Sequence, residues 1–156
     1  MTRLPSAASP PVEVSTVGRL IVCEQTARWS LVLRRELTLA GVRVWETRSL
    51  AEAWESLART PAAVLVVEIS RVNLAGLLER MAWFSRDFPL ARLAVVAPRA
   101  LAGCEWLLRE AGAVHFVTSP RRLGPLAELA IRHLATLPPP QQTLVERIWA
   151  GLPWGR

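Results

Sequence analysis

Five short runs of Val, Ile and Leu along the middle of the chain constrain this sequence more than any other feature. They lie at 19–24 (RLIVCE), 42–46 (VRVWE), 63–68 (AVLVVE), 92–97 (RLAVVA) and 114–118 (VHFVT). Each is too short for a helix and too uniformly apolar for a strand with one wet face, so each reads as a strand covered on both sides. The segments between them have helical spacing. Segment 29–40 puts Leu33, Leu37 and Ala40 on one face, with Arg34, Arg35 and Glu36 turned away. Ser49 precedes 50–59 with Glu52 three residues on, the pattern of a capping box. Asn73 stands where the cap of 74–86 belongs, and Leu77, Met81 and Phe84 share that segment's apolar face. Segments 101–110 and 123–137 complete the set. Gly41 and Gly112 stand where the first and fourth helices should stop, and Pro61 and Pro89 end the second and third.

Strands alternating with helices through short connections imply a parallel sheet with helices on both faces. Right-handed crossovers then favour a doubly wound α/β sheet of five strands in the order 2-1-3-4-5. This domain should occupy 18–137 of the 156 residues. A Pro-, Ser- and Ala-rich flexible leader, 1–17, precedes it. After it, Pro138-Pro139-Pro140-Gln141-Gln142 reads as a stiff linker. The final residues place Leu144, Ile148 and Leu152 at helical spacing, with Trp149 and Trp154 beside them. Ile148, Trp149, Leu152 and Trp154 are therefore candidate partner-binding residues, in a tail that docks either on its own domain or on another protein.

Composition narrows the chemistry. The chain has no Lys, its 19 basic residues are all Arg, and Asp87 is its single aspartate. That excludes a P-loop lysine, a Schiff-base lysine and Asp-rich calcium loops. The formal charge is +6, of which +5 falls within 18–137. A basic body fits acidic partners, nucleic acid among them, and a compositional preference for Arg would produce the same balance. Cys23 and Cys104 have no metal-ligand spacing and read as free thiols of a cytoplasmic protein. No secretory segment and no apolar run of about 18 residues is present, so no membrane association is expected. No cofactor or metal is expected either.

The stretch Glu110-Ala111-Gly112-Ala113-Val114-His115-Phe116-Val117-Thr118-Ser119-Pro120 resembles the strand-five signature of receiver domains in bacterial two-component response regulators. Ser119 stands where that family has Lys. The first strand resembles the family's acidic strand, placing Cys23 and Glu24 on its metal-binding pair. The third places Glu68 nearest the phospho-acceptor Asp, and the fourth places Ala97 on the switch hydroxyl. The resemblance implies a flavodoxin/receiver-like fold, a cis bond before Pro120, and a pocket that once served Mg²⁺-assisted phosphoryl transfer. Every functional slot departs from the pattern, because the acceptor carboxylate, the metal pair, the charge-neutralising Lys and the hydroxyl are all altered. Phe116, at the family's switch aromatic, then reads as a packing residue.

Ligands of open α/β sheets bind beyond the carboxyl ends of the strands. Just past those ends lie Arg28, Arg48, Arg71, Arg99, Arg121 and Arg122. Arg28, Arg71, Arg99, Arg121 and Arg122 are candidate anion-binding residues, or else arginines that are simply solvated or that pair with Glu24 and Glu68. His115 should open strand five, at the end of the sheet away from Cys23, which argues against a Cys–His dyad. The expectation is a non-catalytic pseudo-receiver, an interaction or signalling adaptor with a protein partner, which homodimerises through helix 123–137. The alternative is an Arg-rich protein binding nucleic acid or an anionic ligand.

Overall fold

The computed structural model describes residues 19–137. The leader at 1–17 and the tail residues Ile148, Trp149, Leu152 and Trp154 lie outside the described residues. The order of elements is β1 (Arg19–Cys23), α1 (Arg28–Leu37), β2 (Arg43–Thr47), α2 (Leu50–Arg59), β3 (Ala63–Glu68), α3 (Leu74–Asp87), β4 (Arg92–Val96), α4 (Glu105–Glu110), β5 (His115–Val117) and α5 (Gly124–Thr136). The five strands form one sheet in the order β2-β1-β3-β4-β5, and every neighbouring pair is parallel. This is the doubly wound sheet that the strand–helix alternation implied.

The alternating pleat sends successive side chains to opposite faces, and two cores result. Ile21, Leu65, Val67, Leu93 and Val95 pack on one face with Leu57 of α2, Leu77 and Met81 of α3 and Leu108 of α4. Leu20, Val22, Val64 and Val66 pack on the other with Trp29 and Leu33 of α1 and Leu126, Ala130 and Leu134 of α5. Phe116 is buried in the first core, as a packing residue should be.

Local chemistry explains where the elements differ from the sequence reading. The β2 strand is an edge, so it is not covered on both faces; Trp45 is half exposed, with the Arg19 guanidinium 5.2 Å above its ring. The α1 helix stops at Leu37 and tightens into a 3₁₀ turn, Thr38–Ala40, that leaves Ala40 exposed. Gly41 follows with φ at 66°, a left-handed step that glycine takes without steric cost. The segment before α4 is likewise 3₁₀, Arg99–Cys104. Asn73 does not cap α3: its side chain accepts from Ser70 N and donates to the Glu68 carbonyl, bracing the β3–α3 loop. Ser49 does cap α2, accepting from Glu52 N, whereas the Glu52 carboxylate turns back to Arg48 N rather than to Ser49. The helix offered for pairing between copies, α5, buries its apolar residues Leu126, Ala127, Ala130 and Leu134 in its own domain.

Central and edge strands should therefore respond differently to truncation. Leu65→Ala, at a fully buried site in β3, should cost roughly 2–5 kcal/mol in urea unfolding. Trp45→Ala on the β2 edge should cost about 1 kcal/mol or less.

Candidate functional site

The carboxyl ends of β1 and β3 open into a cleft of about 670 Å³, bordered by Cys23, Glu24, Arg48, Glu68, Ser70 and Pro98 among others. The parallel register sets its floor: Cys23 lies beside Thr47 and Val67, and Glu68 beside Val96. The cleft sits where open α/β sheets present their ligand sites.

Its two acids are tied to the first helix. The α1 helix begins after Ala27, which has no side chain to cap with and sits at a φ of 53°. The Glu24 carboxylate takes over the capping. One oxygen accepts from Trp29 N at 2.7 Å and the other from Ser30 N at 2.8 Å. These two amides belong to the first turn, whose donors have no partner within the helix, and a carboxylate there is also favoured by the helix dipole. Glu24 is only 2% exposed, so water is largely kept from this pair of bonds. Its main-chain carbonyl accepts from Arg48 Nη1 at 3.1 Å, and Arg48 also pairs with Glu46 at 2.8 Å.

Glu68 is engaged by the same residue. The indole Nε1 of Trp29 donates to Glu68 Oε1 at 2.9 Å, and Gln25 N donates to Glu68 Oε2 at 3.3 Å. Trp29 is fully buried, so its N–H needs a partner. One residue, through its backbone and its indole N–H, thus ties α1 to Glu24 just past β1 and to Glu68 of β3 across the floor of the cleft. Trp29 was not among the residues singled out from the sequence. The available signal was an uncapped helix start at Ala27 with an acid upstream and a Trp just inside the helix.

The remaining positions are apolar or locally satisfied. Burial is the main cause of a raised Cys23 thiol pKa; Thr47, hydrogen-bonded to it, opposes the shift, and Glu52, Glu68 and Glu24 add to it. Ala97 is fully buried and offers only its backbone, with N donating to the Val117 carbonyl. Ser119 Oγ accepts from Arg121 N, capping a short 3₁₀ turn. No cis peptide occurs among the described residues, so the bond before Pro120 is trans, unlike the family feature that the resemblance implied. His115 starts β5, at the opposite end of the sheet from Cys23, and desolvation followed by Arg109 lowers its pKa. The two therefore form no dyad.

Arg28, which opens α1, and Arg71, Arg99, Arg121 and Arg122, in the segments that follow the strands, are all exposed at this edge. Arg28 stacks over the Trp29 ring at 5.3 Å. None of the five borders the cleft, whereas Arg48 does. Among the described residues no three His, Cys, Asp or Glu side chains gather as a metal-binding group, and no helix is long and apolar enough to cross a membrane.

The sequence matches no family model and no curated protein. Solved structures are similar. A response regulator from Thermotoga maritima superposes with a TM-score of 0.61 at 22% identity, over 78% of this chain and 99% of that one. A CheY-like protein (tadZ) from Pseudomonas aeruginosa gives 0.59 at 21%, over 78% and 96%. A pilus assembly-related protein from Burkholderia pseudomallei gives 0.55 at 20%, over 76% and 91%.

Two predictions follow from the geometry of this cleft. Glu24→Ala strands two buried N–H groups and should lower unfolding free energy by roughly 2–4 kcal/mol, whereas Ala27→Gly relieves the left-handed backbone and should cost nothing or add up to about 1 kcal/mol. Because the raised pKa keeps Cys23 a neutral, buried thiol, iodoacetamide at pH 8 should label Cys104 first and reach Cys23 only in denaturant; peptide mass mapping reads the order.

Proposed function

Starting from a receiver-like fold resembling that of two-component response regulators, we propose that this chain is a non-catalytic pseudo-receiver: an interaction or signalling adaptor that works without phosphorylation. The observation that carries this reading is the use of Glu24 and Glu68 as acceptors for Trp29 and its neighbours. A Mg²⁺ ion in this cleft would need those oxygens turned toward it, with further hard oxygen ligands beside them. Here the neighbouring first-strand position is a buried thiol, and both Glu24 oxygens hold the start of α1. The residues do not fit the metal. Glu68 is also one methylene longer than the family's acceptor, Ala97 offers no hydroxyl, and Ser119 offers no positive charge.

The partner is a protein. The similarity to a pilus assembly-related protein supports receiver-shaped domains in assembly roles, and a membrane-free, cytoplasmic setting accords with the free thiols. A second reading, binding of nucleic acid or another polyanion, is favoured by the exposed arginines Arg71, Arg99, Arg121 and Arg122, none of which forms an ion pair among the described residues.

Incubation with acetyl phosphate and Mg²⁺, and separately with beryllofluoride and Mg²⁺, tests the main reading. The intact mass should stay unchanged, and the amide resonances of Cys23, Trp29, Glu68 and Ala97 should not move. A phosphoryl adduct on Glu68, or Mg²⁺-dependent shifts at those amides, overturns it. Duplex DNA bound with an affinity that collapses between about 50 and 200 mM salt would establish the second reading instead.

A further inference from the structure

At the opposite edge of the sheet, where the strands begin, a second groove of about 370 Å³ is lined by Arg92, Val114, Leu129, Arg132, His133 and Thr136. Val114, Leu129 and the aliphatic stems of the two arginines make most of its exposed surface carbon, with Arg92, Arg132 and His133 adding basic groups. Val114 lies in the turn into β5, a strand of three residues that leaves its outer edge without a neighbouring strand. Trp106 and Leu107 of the adjoining α4 are also exposed, Trp106 at 72%. One wall is the last two turns of α5, held in place by His133, whose Nε2 meets the Leu90 carbonyl at 2.9 Å.

The chain leaves the described structure at Leu137, one residue beyond Thr136 on that wall. The following 19 residues begin with Pro138-Pro139-Pro140 and carry Leu144, Ile148 and Leu152 at a spacing of four, with Trp149 and Trp154. Proline prevents α5 from simply continuing. An extended run of five residues, 138–142, spans roughly 15 Å at about 3.1 Å per residue, enough to turn the chain back along α5. Val114 is exposed and Leu129 half-buried, which leaves an apolar strip along the groove for a neighbouring segment to cover. The segment nearest in sequence has the matching apolar spacing and the reach.

We propose that the chain's own C-terminal segment, 143–154, docks in cis along the groove between β5 and α5, with Leu144, Ile148 and Leu152 facing Val114 and Leu129. Cis docking gains from a short tether, which sets a high effective concentration for a contact too small to hold two separate chains. The docked segment would cover the β5 edge and leave the Glu24–Glu68 cleft untouched, so the proposal stands independently of the pseudo-receiver reading.

Hydrogen–deuterium exchange of the full chain tests it at two protein concentrations. Amides within 144–152 should exchange at least roughly tenfold more slowly than unstructured amides, to the same extent at both concentrations. Leu129→Asp and Val114→Asp in the groove should each abolish that protection. Ile148→Asp, in the tail, should speed exchange at 129–136 while leaving β3 protected, which separates undocking from unfolding. Tail amides that exchange freely in the unaltered chain overturn the proposal. Protection that appears only at the higher concentration also overturns it, in favour of a second copy in the groove.

Discussion

The hydrogen bonds converging on Trp29 hold the functional edge of this fold together. Its backbone N–H and its indole N–H run to two different acids, Glu24 just past β1 and Glu68 at the end of β3. A helix entered through a left-handed alanine would otherwise start with stranded donors over a buried core. The Glu24 carboxylate meets that need from four residues before the helix begins, and the position of α1 over the second core depends on it. Hydrogen bonds to charged acceptors contribute about 1.5–3 kcal/mol each, a sizeable share of the 5–15 kcal/mol typical of a whole domain. Both Glu24 oxygens and one Glu68 oxygen are thus drawn toward the start of α1, which orients the two carboxylates at the floor of the cleft.

Much of the architecture was legible in the sequence because it follows from burial. Strands β1, β3 and β4 lie inside the sheet, and their unbroken runs of Val, Ile and Leu have few alternatives to a covered parallel strand. The edge strand β2 was legible as a strand, but its exposure was not. The whole run 42–46 reads as covered until the topology places it at a border, where Trp45 is half exposed and Arg19 covers its ring. Helix ends proved harder still. Ala40 and Asn73 each satisfied a local pattern, and each lost to a nearby competitor: the 3₁₀ turn closed by Gly41, and the Ser70 and Glu68 backbone groups that Asn73 braces.

The site was legible in position and only partly in chemistry. Cys23, Glu24 and Glu68 meet at the cleft, as the strand-end rule required. What each acid does could not be read, because capping by Glu24 depends on a left-handed turn at Ala27 that no residue type announces. The arginines show the complementary case. Their sequence positions all fall at one edge, yet Arg48 alone of that set turns into the cleft; it is bound to Glu46 and to the Glu24 carbonyl. Proximity along a sheet edge decided which loop they occupy and said nothing of where the guanidinium points.

In this receiver-like fold the two acids at the strand ends bond to the start of the first helix. The most direct measurement is a double-mutant cycle between Trp29→Phe and Glu68→Met, read by equilibrium urea unfolding. If Glu68 is a structural acceptor, the two substitutions should be strongly non-additive, with a coupling of roughly 1–2 kcal/mol that added Mg²⁺ leaves unchanged. Additive losses, or a coupling that vanishes as Mg²⁺ stabilises the unaltered protein, would show that Glu68 is free for ligand chemistry and would contradict this account.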